Sequence, residues 1–188
     1  LPDGGQFELE SGSTVMDAVA CIGPGLGKAA LAGNINGAQV DLDHQLCEDA
    51  ALEVLTFSDP EGREVYCHST THLMAQATKE LFPEAQLTIG PPIEEGFYYD
   101  FDVPEPFTAD NLEQIEKRMV ELARADMPIR RREISRENAR TLFKERGESY
   151  KVEMIDELAE DEVISIYEQG DFIDLCRGPH IPSTGKIK

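Results

Sequence analysis

Bases are what this chain has least of. Its 188 residues carry 17 Lys and Arg against 37 Asp and Glu, a formal charge of −20. That excess of anionic charge excludes broad nucleic-acid binding through bulk electrostatics. The shortage is uneven: residues 1–60 hold ten acids and one base, Lys28, whereas residues 61–188 mix twenty-seven acids with sixteen bases. Long apolar runs are missing too, so no membrane-spanning helix is expected, and no charged-then-apolar leader opens the chain. The four cysteines, Cys21, Cys47, Cys67 and Cys176, show no pairing pattern. Reduced thiols in the cytosol are the expectation. The length suits one large domain or two small ones with a real core.

What is present begins with a small, mostly β module over residues 1–60. After the turn-forming Pro2-Asp3-Gly4-Gly5, the alternation of Gln6 to Glu10 predicts a strand. Thr14 can cap a helix over Val15 to Ile22, which Pro24-Gly25 should stop. Asn36-Gly37 between two apolar runs predicts a hairpin, Ala29 to Ile35 with Ala38 to Leu42, and Ala51 to Phe57 reads as a last strand. One helix, a hairpin and further strands make a ubiquitin-like β-grasp. Gly23-Pro24-Gly25-Leu26-Gly27 follows a helix instead of joining strand to helix, so it reads as a turn and not as a phosphate loop. Ser58 to Gly62 is a linker by composition, and the expected boundary lies there, giving 1–60 and 61–188.

The second part reads as α+β, with an antiparallel or mixed sheet packed by helices. Glu64 to Phe82 has helical apolar spacing through Val65, Leu73, Met74, Ala77 and Leu81. Gln86 to Ile89 and Gly96 to Asp102 read as strands separated by Pro91-Pro92. Thr108 caps a helix from Ala109 to about Ala125, with Leu112, Ile115, Met119 and Leu122 on its apolar stripe. Ile129 to Ile134 is a strand, and Ser135 caps a helix that closes at Gly147. Tyr150 to Ile155, Val163 to Tyr167 and Asp171 to Leu175 complete the strands.

Three of the four histidines sit in two short motifs, Cys67-His68-Ser69-Thr70-Thr71-His72 and Cys176-Arg177-Gly178-Pro179-His180. On a helix, His68 and His72 point from one face, one turn apart. Gly178-Pro179 makes the second motif a loop able to bring a thiol and an imidazole to that pair. Two imidazoles, a thiolate and a third imidazole form a possible tetrahedral zinc set. Two features weigh against a catalytic zinc: Ser69 stands where a metalloprotease helix has Glu, and four protein ligands leave no open position. The same groups without metal suit hydrolysis, one imidazole deprotonating a water and another protonating a leaving oxygen. Histidines close by chance are the dull alternative. Lys151 would open a strand and hold its amine in place, and Asp174 would share a sheet face with Cys176, where it could bind an amine or polarise an imidazole. On the residues alone, a solvated surface charge is the expected reading of either. Arg130-Arg131-Arg132 begin a stretch with seven bases against three acids up to Arg146. It suits a phosphate backbone or a salt-bridged surface.

Taken together, Cys67 to His72, Ile89-Gly90-Pro91, Gly96-Phe97-Tyr98-Tyr99-Asp100, Gly147 to Val152 and Asp174 to His180 resemble the N-terminal region of bacterial-type threonyl-tRNA synthetases. The resemblance covers essentially the whole chain. It implies a TGS module of β-grasp fold over 1–60 and an editing domain over 61–188, stopping short of that domain's last strands. The implied activity is hydrolysis of serine wrongly esterified to threonine tRNA. Carried over, the catalytic residues are His68, His72, Lys151, Cys176 and His180, with Asp174 and Tyr99 binding substrate; Arg130, Arg131 and Arg132 are candidates for meeting RNA on local charge alone. The implied partners are the tRNA acceptor end and the seryl group, with no membrane and a homodimer through absent domains. No cofactor is implied for editing, although related alanyl editing domains bind zinc with the same four-ligand arrangement. ATP and a further zinc belong to the absent aminoacylation domain. Apart from the resemblance, a zinc hydrolase and a non-catalytic docking module stay open.

Overall fold

Thr14 opens the first helix, α1 (Val15–Ile22), through a reciprocal capping box. Its hydroxyl accepts from the Asp17 amide while the Asp17 carboxylate accepts from the Thr14 amide at 2.8 Å. In this computed structural model the described residues are 4–90, 92, 93 and 96–188. Pro2 and Asp3 of the expected first turn, and Pro91 of the expected separator, lie outside them. Among the described residues there are six α-helices and several small antiparallel sheets, a mixed α+β architecture. The chain divides into two compact units, residues 1–66 with 178–182, and residues 67–177 with 183–188.

In the first unit, β1 (Ala30–Ile35) pairs antiparallel with β2 (Ala38–Val40) and β3 (Leu52–Thr56) in the order β2-β1-β3. Asn36 and Gly37 both take positive φ in the hairpin turn, as an Asn-Gly pair readily does. Val15, Ala18 and Val19 of α1 pack on Ala30, Leu42 and Leu52. Gly33 permits that approach, because a Cβ there would stand 2.9 Å from Val15 Cγ1. This is the β-grasp arrangement, with two corrections. Gln6 to Glu10 forms no strand; alternation predicts a half-buried strand only where a partner supplies the ladder. Pro24 does not begin a plain turn but sits at the first position of α2 (Pro24–Ala29), where its missing N–H and fixed φ are tolerated.

The division between units falls inside α3 (Pro60–Leu81), which starts four residues earlier than its apolar spacing predicts and takes in part of the expected linker. The second unit contains short strands β4 (Gln86–Leu87) and β7 (Phe101–Asp102), paired together, and β5 (Pro92–Ile93) with β6 (Gly96–Phe97). The expected strand over 96–102 is therefore split in two. After α4 (Ala109–Arg124), with its own capping box at Thr108 and Asn111, comes the main sheet, ordered β10-β9-β8. It comprises β8 (Ile129–Ile134), β9 (Ile164–Gln169) and β10 (Phe172–Leu175). Leu73 and Ala77 of α3 meet Ile115 and Leu122 of α4, but Leu112 stands 57% exposed, off the buried stripe.

The largest correction lies between β8 and β9. Here α5 (Arg136–Glu145) is followed by α6 (Ser149–Glu157), a helix where a strand over Tyr150 to Ile155 is expected. Tyr-Lys-Val-Glu-Met-Ile alternates well enough for either reading. Burial decides it: Lys151 and Ile155, four apart, are the buried positions of α6, and Ile155 joins Ala139, Phe143, Ile164 and Ile166 in one core.

Candidate functional site

The buried face of α3 is unusually polar. Ser69, Thr70, Thr71, His72, Gln76 and Thr78 are all buried, where groups without partners are destabilising. Thr71 answers part of this by donating its hydroxyl to the Cys67 carbonyl one turn back, at 2.9 Å. His68 and His72 do share a face, but their rings meet edge to face at 81° with centroids 5.3 Å apart, not in parallel.

Around His72 the second unit assembles charged groups from two further elements. Asp174 on β10 is 2% exposed and Lys151 on α6 is 3% exposed. The Lys151 amine lies 2.8 Å from Asp174 Oδ1 and donates to the Thr88 carbonyl at 3.0 Å. The Leu175 amide donates to the same Oδ1 at 2.8 Å, and the Tyr99 hydroxyl, after β6, donates to Oδ2 at 3.4 Å. Lys151 thus projects from a buried helix face and not from a strand, and Asp174 is no surface carboxylate. At the other end of the pair of rings, Cys176 Sγ lies 3.3 Å from His68 Nε2. The Cys176 backbone is fixed by Ser165, whose carbonyl accepts its amide and whose hydroxyl donates to its carbonyl.

These surroundings set the protonation states. Burial drives the His72 imidazole down to about 3, with His68 and Lys151 acting the same way and Asp174 opposing them. Its 3.9 Å approach to Asp174 Oδ2 is therefore a neutral ring beside a carboxylate, not an ion pair, at neutral pH. Burial alone would raise the Asp174 carboxyl, but Lys151, His72 and the Leu175 amide outweigh it and hold the carboxyl below its ordinary range. Burial, then Asp174, push the Tyr99 phenol far up, so its proton stays on and donates. Burial also raises the Cys67 thiol.

His180 lies on the Gly178–Pro182 strip that groups with the first unit. It is 1% exposed, and its amide donates to Asp41 Oδ1 at 2.8 Å. Arg130, Arg131 and Arg132 all lie on β8, the last strand of the sheet. Arg132 pairs with Glu168 at 2.7 Å and Arg131 with Glu133 at 2.6 Å.

Sequence reasoning missed several residues behind this site. Glu148 pairs with Lys79 at 2.7 Å, and Gln169 donates to Gln76, which donates to Glu80. Glu148 stands three residues before Lys151, the only hint the sequence offered; its partner is 69 residues away. A groove of about 830 Å³ runs between α5 and α6, lined by Arg136, Arg140, Lys144 and Glu153 among others. Its cations are largely engaged: Arg136 donates to the Ile155, Leu158 and Ala159 carbonyls and Arg140 pairs with Asp156.

As for metal, the nitrogens of His68 and His72 and the sulfur of Cys176 lie within 4.8 Å of one another. That spacing is compatible with ligands sharing one zinc ion. Among the described residues, no helix is long and apolar enough to cross a membrane.

Comparison with known proteins gives two domain matches. Residues 1–56 match the TGS domain, and residues 164–188 match the threonyl and alanyl tRNA synthetase second additional domain. The chain is 57% identical over all 188 residues to a threonine--tRNA ligase of Symbiobacterium thermophilum. It is 56% identical, again along its whole length, to those of Alkalilimnicola ehrlichii and a Geobacter species. In each case it spans 29% of the relative's length.

Proposed function

We propose, for a chain that aligns end to end with the N-terminal part of threonine--tRNA ligases and so belongs to that family, that its second unit is the editing site. The reaction is hydrolysis of the ester that joins serine to threonine tRNA, with threonyl ester spared. The need is physical: one methyl group is worth only about 1–3 kcal/mol in a binding pocket, too little for faithful charging in one step.

The observation that carries this reading is the buried Lys151–Asp174 pair beside a neutral His72, with His68 and Cys176 at the other end of the imidazole pair. In the reaction, His68 takes a proton from water as the water oxygen bonds to the ester carbon. The bond from that carbon to the ribose oxygen breaks, and the Lys151 ammonium protonates the leaving oxygen. Free serine and uncharged tRNA result. Asp174 holds the Lys151 amine in place through Oδ1 and offers Oδ2, together with the Tyr99 hydroxyl, to the seryl ammonium and side chain. His72, held neutral, accepts a hydrogen bond without adding repulsion to Lys151. The exposed Arg130 to Arg132 row meets the acceptor-stem backbone. The whole ligase works in the cytoplasm as a homodimer, and its ATP and aminoacylation zinc sites belong to parts beyond this chain.

Zinc is the second reading, favoured by the three clustered donor atoms. Bound by His68, His72 and Cys176, it would supply a Lewis acid. We prefer the reading in which Lys151 supplies the positive charge, because its amine is already fixed by two partners next to the rings. Elemental analysis after purification without chelator separates the two: stoichiometric zinc supports the metal reading, and none removes it.

The deciding experiment is Lys151→Ala in the intact ligase. Seryl-tRNA hydrolysis should fall about a hundredfold, the lower range for loss of a positioned proton donor. Clearance at the parent rate would sink the assignment.

A further inference from the structure

Lys151 is not the only charge buried at the start of α6. Glu148, at the position just before that helix, is 5% exposed and three residues from Lys151, so both face the same way. Each has a counter-charge from another element, Lys79 of α3 for Glu148 and Asp174 of β10 for Lys151. Each also holds the backbone of one short segment. Glu148 Oε2 accepts from the Leu87 amide at 3.3 Å, and Lys151 donates to the next residue's carbonyl, that of Thr88, at 3.0 Å. Lys79 closes the set by donating to the Ala85 carbonyl at 2.7 Å. Residues 85–88 are therefore held by both members of one ion pair and by the amine of the other.

Two observations argue that this arrangement serves placement more than stability. First, α4 and α5 each begin with a side chain capping the helix, Thr108 and Ser135, whereas Glu148 makes no capping bond to α6. A conventional cap would have stabilised the helix locally. Local helix chemistry has been set aside for a contact across the unit. Second, burying an ion pair seldom stabilises more than apolar side chains of similar volume would. What Lys79–Glu148 does provide is a fixed height for α6 against the Ala85–Thr88 segment, and so a fixed point for the Lys151 amine.

We infer that Glu148, with Lys79 as its counter-charge, is a positioning residue that acts through Lys151, an inference that rests on the editing function proposed above. It touches no substrate itself. Its removal lets α6 shift along residues 85–88 and loosens the amine from Asp174.

The test is a double-mutant cycle in the intact ligase, read by hydrolysis of seryl-tRNA, with Glu148→Gln, Lys151→Met and the two combined. The Gln variant keeps the size and an oxygen for the Leu87 amide but loses the charge. It should slow kcat about tenfold, with KM within about twofold. The combined variant should be no slower than Lys151→Met alone, since the position of an absent amine no longer matters. Lys79→Met should mirror Glu148→Gln, and this guards against a fault peculiar to one variant. Hydrogen exchange across α6 checks that each variant stays folded. Additive losses, or a Glu148→Gln enzyme at the parent rate, would overturn the positioning role while leaving the editing function standing. If Lys151→Met itself hydrolyses at the parent rate, both fall together.

Discussion

The two units solve their interiors differently. The first packs Val15, Ala18, Val19, Ala30, Leu42 and Leu52, an apolar set with nothing that can ionise. The second buries Lys151, Asp174, Glu148 and His72 around a helix face of Ser, Thr and Gln, whereas the buried imidazole of the first unit, His180, lies outside that apolar set. The first unit is stabilised by what it removes from water. The second tolerates desolvated charge, and such charge is retained where chemistry uses it. The contrast is what makes the second unit the candidate for the proposed chemistry.

Breaking that contrast should have graded effects. Asp174→Ala would leave the Lys151 ammonium buried without its carboxylate, which costs about 3–5 kcal/mol; faster hydrogen exchange in α6 and β10 should report it. Unchanged exchange there would mean that water reaches the amine. Leu52→Ala in the apolar core should cost about 2–5 kcal/mol by loss of transfer energy and a residual cavity. Its signature is exchange confined to the first unit, with seryl-ester turnover per folded molecule preserved.

Acid should separate the units further. The His72 ring is depressed to about 3 from an ordinary value near 6.5, so the unfolded chain binds the proton first. Stability from this group is complete above pH 6.5 and is lost as pH falls towards 3, by at most about 1.4 kcal/mol per pH unit. Asp174, also depressed, adds a loss that begins below the ordinary Asp range. Denaturant midpoints followed from pH 7.5 to 4.5 should fall in the parent and fall less in His72→Gln. Equal slopes would show that the ring is not held neutral. The smallest effect belongs to Arg132→Ala, whose exposed pair with Glu168 is worth about 0–1 kcal/mol. A larger loss in a melting experiment would mean that the row on β8 is more than surface.

Much of this was legible in the residues. Asn36-Gly37 announced its hairpin because few other sequences accept two positive φ angles in succession, and Thr14, Thr108 and Ser135 announced helix starts through local capping. Local rules failed where the deciding contact was distant. Tyr150 to Ile155 alternates like a strand, and only the core around Phe143 and Ile166 makes it a helix. The site divided along the same line. His68, His72, Cys176 and Asp174 stood out through motifs, whereas nothing singled out the pairing of Lys79 with Glu148, which closes across 69 residues. The ring geometry of His68 and His72 was equally out of reach, since spacing fixes a helix face and not a side-chain torsion.

The Arg130–Arg132 row has one more consequence, in the order in which the chain is made. Strand β8 leaves the ribosome about thirty residues before β9, the strand that will pair with it. Until then its backbone is an open template for any neighbouring nascent chain. Three adjacent guanidinium groups make that template self-repelling, a safeguard against intermolecular pairing. Even in the finished sheet β8 remains at the edge, so the protection acquired during synthesis persists for the life of the protein.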